Sequence, residues 1–159
     1  MVIMSQGGRL VITQDQLEEL AERYNELVSL VNTLSQNLTV VNMTINELNN
    51  AKAVLEQLGK GAVSDSYVTI GSGVYIKADA KDNTRVLVDI GEDYVAEMPI
   101  QQAIELINNR LNELNATRER LEEQLAQAIR SSNELRDLLT AIYASLARRQ
   151  GTVGPKAGP

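Results

Sequence analysis

Alternate steps of three and four residues from Leu17 land on Leu17, Leu20, Tyr24, Leu27, Val31, Leu34, Leu38, Val41, Ile45, Leu48, Lys52 and Leu55, eleven of the twelve apolar. A seven-residue repeat held this long is the pattern of a coiled-coil seam, narrower than the apolar stripe of a helix on a globular core. It begins where Thr13 and Gln16 form a capping-box pair, with Ile12 and Leu17 placed as a hydrophobic staple, and it stops before Gly59. These signals predict a helix over 13–58, about 65 Å long at the α-helical rise.

The same stepping resumes at Ile104 and continues through Ile107, Leu111, Leu114, Arg118, Leu121, Leu125, Ala128, Ser132, Leu135, Leu139, Ile142, Leu146 and Arg149, eleven of fourteen apolar. Pro99 stands where a first helical residue is expected, Arg148 and Arg149 suit the negative pole of the helix, and Gly151 follows as a stop. A second helix is therefore predicted over 99–150, about 75 Å long. Lys52, Arg118, Ser132 and Arg149 interrupt the seams, either to set register at a cost in stability or because positions near ends tolerate them.

Each seam needs a partner. The tethered one is at high effective concentration, so the two helices are expected to fold back on each other as an antiparallel hairpin; pairing with another chain is the alternative. Residues 17–58 carry two cations against six acids, and 99–149 carry seven of each, every cation an Arg. In the antiparallel arrangement Glu18, Glu19, Glu22 and Glu26 share an end with Arg136, Arg148 and Arg149.

Between the seams the hydrophobic period shortens to two. Val74, Ile76 and Ala78 alternate with Tyr75, Lys77 and Asp79; Val86, Val88 and Ile90 alternate with Arg85, Leu87 and Asp89. Turn signals fall at Gly71-Ser72-Gly73, Lys81-Asp82-Asn83 and Gly91-Glu92-Asp93, predicting β-hairpins at about 66–80 and 84–98. The fold class is α+β: a long antiparallel coiled-coil hairpin with two β-hairpins at its connecting end. Two hairpins bury too little to stand alone and leave open edges. Val68, Ile70, Val74, Ile76, Val86, Val88, Ile90 and Val95 are therefore expected to pair with β segments of other subunits, making 59–98 an oligomerisation module. Residues 1–12 form an apolar leading segment, and 151–159, "GTVGPKAGP", a flexible tail.

Composition narrows the function. Cys, His, Trp and Phe are all absent, which removes thiolate chemistry, the usual general base and the usual metal ligands. Tyr is the sole aromatic, a poor basis for a compact globular core. A net charge of −6 disfavours nucleic acid and anionic membrane surfaces as partners. The uncharged stretch 27–46 has the length of a membrane span, but Asn32, Ser35, Gln36, Asn37, Asn42 and Asn46 interrupt it. The leading apolar residues are too few for a signal peptide and lack a basic start, so the expected location is the cytoplasm. Gly71-Ser72-Gly73 has no third glycine and no following helix, which makes it a turn and not a dinucleotide site. Glu92-Asp93 and Glu122-Glu123 lack calcium-loop spacing. No catalytic constellation, cofactor or metal site is expected.

A long helix, two hairpins built on "IGSGVYIKADAKDNTRVLVDIGEDYVAE", and a helix opening "MPIQQAIELINNRL" together resemble the alpha-class subunit of prefoldin, in the archaeal style. The resemblance covers about 13–149. Thr69 stands before the first Ile-Gly where the family often has Pro, a change a strand accepts. The beta class has one hairpin, so two favour the alpha class. The resemblance implies an ATP-independent chaperone hexamer of two alpha and four beta subunits. Its hairpins form a double β-barrel, and its coiled-coil tips hold non-native protein and pass it to a group II chaperonin.

On that reading the tip comprises both helix termini. Val2, Ile3, Met4, Leu10, Val11 and Ile12 precede the first helix with no core to enter, and Leu138 and Tyr143 lie outside the seam beside Leu139, Ile142 and Leu146. With Leu17 and Leu20, the residues Leu10, Val11, Ile12, Leu138, Leu139, Ile142, Tyr143 and Leu146 are the expected client contacts; ordinary fraying of a helix end is the alternative. Val28, Leu30, Val40 and Met43 form a second off-seam apolar face, either a cavity lining or a solvated surface. Two functions remain: a holdase that captures unfolded chains at its tips, and a structural adaptor that binds defined native partners.

Overall fold

The structure is a computed structural model that describes residues 12–61, 63–80 and 84–150. The leading segment 1–11, the expected Lys81-Asp82-Asn83 turn and the tail 151–159 lie outside the described residues. The elements run α1 (Gln14–Leu58), β1 (Val63–Gly71), β2 (Val74–Ala80), β3 (Arg85–Gly91), β4 (Tyr94–Pro99) and α2 (Ile100–Gln150). Each switch of hydrophobic period in the sequence thus marks a switch of element. The chain divides into two compact units, Met1–Leu38 with Arg120–Pro159, and Thr39–Glu119.

In the first unit the helices meet along the seven-residue stripe. On α1 the seam positions Leu17, Leu20, Tyr24, Leu27, Val31 and Leu38 are half-buried and Leu34 is buried. On α2, Ala128, Leu135, Leu139 and Ile142 are buried. Leu27 and Leu34 share a groove with Gln124 and Ala128, Leu20 with Leu135 and Leu138, and Leu17 with Tyr143 and Leu146. Residue numbers rise on one helix as they fall on the other, so the pairing here is antiparallel and within one chain.

Two of the arginines at this end bond within their own helix. Arg136 donates through Nε and Nη2 to Asp137 Oδ1 beside it, both at 3.2 Å, and Arg148 Nε donates to the Ala144 carbonyl at 3.3 Å. A long side chain loses less rotamer freedom reaching a neighbour on its own helix than crossing the seam.

The second unit has its own core. Ile45, Ile107 and Leu111 are buried together, with Val41, Leu48, Leu55 and Leu114 packed on them. Lys52, the charge in the first seam, is half-buried and carries its ammonium out to Glu56 at 4.0 Å, leaving its methylenes against the seam. Where the chain returns from the hairpins, Met98, Ile100 and Ala103 are also buried. Pro99 closes β4 and does not open α2: it pairs with Arg85 in the ladder, and the next amide, Ile100 N–H, donates to the Thr84 carbonyl at 3.1 Å. Proline is tolerated at a strand end, where its missing N–H leaves no ladder bond unmade.

Both hairpins use two-residue turns with positive φ at each turn residue, Ser72 (49°) and Gly73 (77°), and Glu92 (52°) and Asp93 (62°). Such turns match the right-handed twist of the strands they join. Gly71 (φ 120°) and Gly91 (φ 101°) sit at the register shift before each turn, a conformation that a side chain resists. In β1–β2, Val68 faces Ile76 and Ser66 faces Ala78; in β3–β4, Val86 faces Met98 and Val88 faces Ala96. No helix among the described residues, the 27–46 stretch included, is long and apolar enough to cross a membrane.

Candidate functional site

Two surfaces merit attention, one in each unit. The first is built by the start of α1 and the end of α2. Thr13 and Gln16 cap α1 reciprocally: Thr13 N–H donates to Gln16 Oε1 at 3.0 Å, and Gln16 N–H to Thr13 Oγ1 at 3.3 Å. This box satisfies amides that the first turn would otherwise leave orphaned. It also fixes where Ile12 enters the helix, so that Ile12 and Leu17 line one cleft of about 310 Å3 with Thr13, Gln14, Glu18, Ala21, Tyr143 and Leu146. Its apolar lining is Ile12, Leu17, Ala21, Tyr143 and Leu146. At the polar rim Gln14 Nε2 donates to Glu18 Oε1 at 3.1 Å. A second groove follows along the same helix pair, lined by Leu20, Arg23, Leu27, Ser131, Glu134, Leu135 and Leu138.

The residues singled out at this end separate into three groups. Tyr143 (52% exposed) and Leu138 (43%) offer apolar surface to a partner now. Ile12, Leu17, Leu20 and Leu146 are half-buried and reachable through the clefts. Leu139 and Ile142 are buried in the seam, so reaching them requires the helices to part. Leu10 and Val11 lie outside the described residues. Ala21 lines the cleft and was not anticipated, since a small side chain adds little to a hydrophobic pattern.

The second surface belongs to the hairpins. On β1–β2 the even-numbered face carries Val68 (49% exposed), Ile70 (62%), Val74 (53%) and Ile76 (48%), while Tyr67 and Tyr75 project from the other face. Among its described residues Ser66, Ala78 and Ala80 are half-buried, and with Tyr67, Val68 and Asp79 they line a groove of about 660 Å3 shared with Ala53, Val54, Gln57 and Leu58 of α1. On β3–β4, Val86, Val88 and Ala96 are half-buried, and Val86 and Val88 share a groove with Leu48, Val54, Leu55 and Ile107. Arg110 ties this hairpin to α2 by donating through Nη2 to the Asp89 carbonyl at 2.8 Å. Leu87, Ile90, Tyr94 and Val95 remain exposed. Of the eight residues expected to mediate assembly, six present apolar surface and two, Val86 and Val88, are half-covered by the chain itself.

No group of three or more potential metal-binding side chains occurs among the described residues, and most of the side chains lining these surfaces offer apolar contact.

Comparison with known proteins agrees with this geometry. The family model described as prefoldin subunit matches residues 27–145. Prefoldin subunit alpha of Pyrococcus horikoshii is 30% identical over 114 residues, covering 70% of this chain and 77% of that protein. Its counterpart in Thermococcus onnurineus is 33% identical over 103 residues, covering 62% and 69%. That of Methanosarcina barkeri is 23% identical over 128 residues, covering 78% and 89%. A filamentous PFD from Methanocaldococcus jannaschii, solved by cryo-EM, shares the fold, with a TM-score of 0.61 at 21% identity over 74% of this chain and 98% of that one. Because the family match runs from within α1, through both hairpins and deep into α2, the chain belongs to the prefoldin family of chaperone subunits and resembles its alpha members.

Proposed function

We propose that this subunit assembles through its hairpins with beta-type prefoldin subunits, two alpha with four beta, and works in the cytoplasm as a nucleotide-independent holdase. Its helix ends capture non-native chains by apolar contact and hand them to a group II chaperonin. The observation that carries this reading is the open apolar cleft of Ile12, Leu17, Ala21, Tyr143 and Leu146. Such a cleft recognises apolar side chains without regard to sequence. Each contact is weak, so release needs no nucleotide, and several tips acting together supply avidity. The exposed hairpin residues support assembly, because contiguous apolar surface of this kind marks an interface.

The test is aggregation of a chemically denatured client on dilution without ATP. The complex of this chain with its beta partner is compared with a complex carrying Leu17→Asn, Tyr143→Ser and Leu146→Ser, with native mass recorded for both. Suppression by the unaltered complex, and its loss in a variant of unchanged mass, is the expected result. Failure of the correctly assembled unaltered complex to suppress aggregation would overturn the holdase reading in favour of an adaptor for folded partners.

A further inference from the structure

We infer that β2 of one copy and β4 of a second copy join edge to edge, with Lys77 opposite Glu97, so that two copies exchange unlike hairpins. The inference rests on the hairpins being the assembly surface, and names one partner for them. The two hairpins are one unit written twice. Every facing pair from Ser66 and Ala78 to Gly71 and Val74 recurs twenty residues later, from Val86 and Met98 to Gly91 and Tyr94. What does not recur is the charge. Lys77 on β2 pairs with Asp65, whereas the equivalent place on β4 holds Glu97, whose Oε1 accepts from Arg85 Nε at 3.2 Å. All four of these side chains are at least 46% exposed.

Among the described residues each hairpin is a two-stranded sheet of its own, and the outer edges of such a sheet accept another strand. On the first hairpin the regular edge is β2, because β1 is interrupted by a register shift between Val63 and Ser66, with Asp65 at φ 58°. Charge then selects the partner. Two β2 edges in symmetric register set Lys77 against Lys77, and two β4 edges set Glu97 against Glu97. Antiparallel β2 and β4 with Lys77 opposite Glu97 instead lay Asp65, Lys77, Glu97 and Arg85 across four strands with their signs alternating. The other face agrees. The same register sets Ile76, 48% exposed in the single chain, opposite Met98, so that Val68, Ile76, Met98 and Val86 form one apolar row. A slip of one residue turns odd-numbered side chains onto the even-numbered face and loses both rows. Two copies that exchange in this way use each hairpin once.

The chain lacks Cys, so single introduced thiols report without background. In the inferred register Asp79 lies opposite Val95 of the other copy. Chains carrying Asp79→Cys are mixed with chains carrying Val95→Cys, with and without beta-type subunits, and oxidised mildly with copper phenanthroline; each chain by itself is the control. With one thiol per chain, any disulfide joins two copies. The expected result is a mixed dimer well above either control. Its absence from both preparations overturns the exchange, while the native mass of the preparation with beta-type subunits reports separately whether the hetero-complex forms. Lys77→Glu and Glu97→Lys are then placed in both chains, singly and together. Each single change should lower the yield of mixed dimer by about three- to tenfold, and the two together should restore it. The double variant leaves both within-hairpin pairs like-charged, so recovery reads the contact between copies and not the folding of either hairpin. A double variant no better than the singles would overturn the pairing of Lys77 with Glu97, and the inference with it.

Discussion

The two hairpins have the same length of turn, the same turn geometry and similar strands, yet the chain treats them differently. β3–β4 turns one face inward. Val86, Val88 and Ala96 are half-buried, Met98 is buried, and Arg110 holds the strand carbonyl of Asp89. β1–β2 leaves Val68, Ile70, Val74 and Ile76 about half or more exposed, and among its described residues Ser66, Ala78 and Ala80 are the half-buried ones. The side chains facing the helices differ: Val86 and Val88 share a groove with Leu48, Leu55 and Ile107, whereas Ser66, Tyr67, Val68, Ala78, Asp79 and Ala80 line the one beside Ala53, Val54, Gln57 and Leu58. The second hairpin therefore packs more closely on the subunit's own helices, and the first leaves more of its apolar face exposed. An apolar face left open by one chain is a statement about assembly as much as about folding.

That contrast can be broken at graded cost. Ile76→Asp should have the largest effect: a carboxylate placed where a partner strand must cover it costs about 3 kcal/mol or more, at least a hundredfold in association. Native mass should show the variant outside the complex while its helical circular dichroism is retained; an unchanged assembled mass would refute the role of β1–β2. Ile107→Ala removes a buried side chain from the second unit's core and should destabilise the subunit by about 2–5 kcal/mol in urea unfolding, with little change in who binds whom. Arg110→Met deletes the bond to the Asp89 carbonyl and should cost about 1–2 kcal/mol, seen as faster amide exchange across β3–β4. Lys77→Met breaks the Lys77–Asp65 pair, both of whose side chains are more than half exposed, so stability should move by no more than about 0.5 kcal/mol and salt should barely matter.

Much of this architecture could be read from residue spacing. The seam of α1 was visible because coiled-coil packing demands one period throughout, and every seam residue from Leu17 to Leu55 is at least half-buried. The capping pair at Thr13 and Gln16 was legible because the chemistry is local. What covers a face was harder. Alternation places Val86 and Val88 on one side of a strand, but not whether a partner or the chain's own Leu48, Leu55 and Ile107 lies against them. The start of the second seam was also missed. Ala103 is fully buried and Ile100 nearly so, while Ile104, where the stepping began, is only half-buried. Alanine carries almost no hydropathic signal, and the buried strand residue Met98 belongs to a different period. At the helix ends the same stepping singled out Leu139 and Ile142 as contacts, although seam residues are by definition the first to be covered.

The most direct test of the central claim is hydrogen exchange on the amides of both hairpins, in the isolated subunit and in the complex with beta subunits. The account predicts that β3–β4 is already protected in the isolated chain, and that β1–β2 exchanges quickly until assembly slows it by orders of magnitude. Equal protection of both hairpins in the isolated chain, unchanged on assembly, would contradict it.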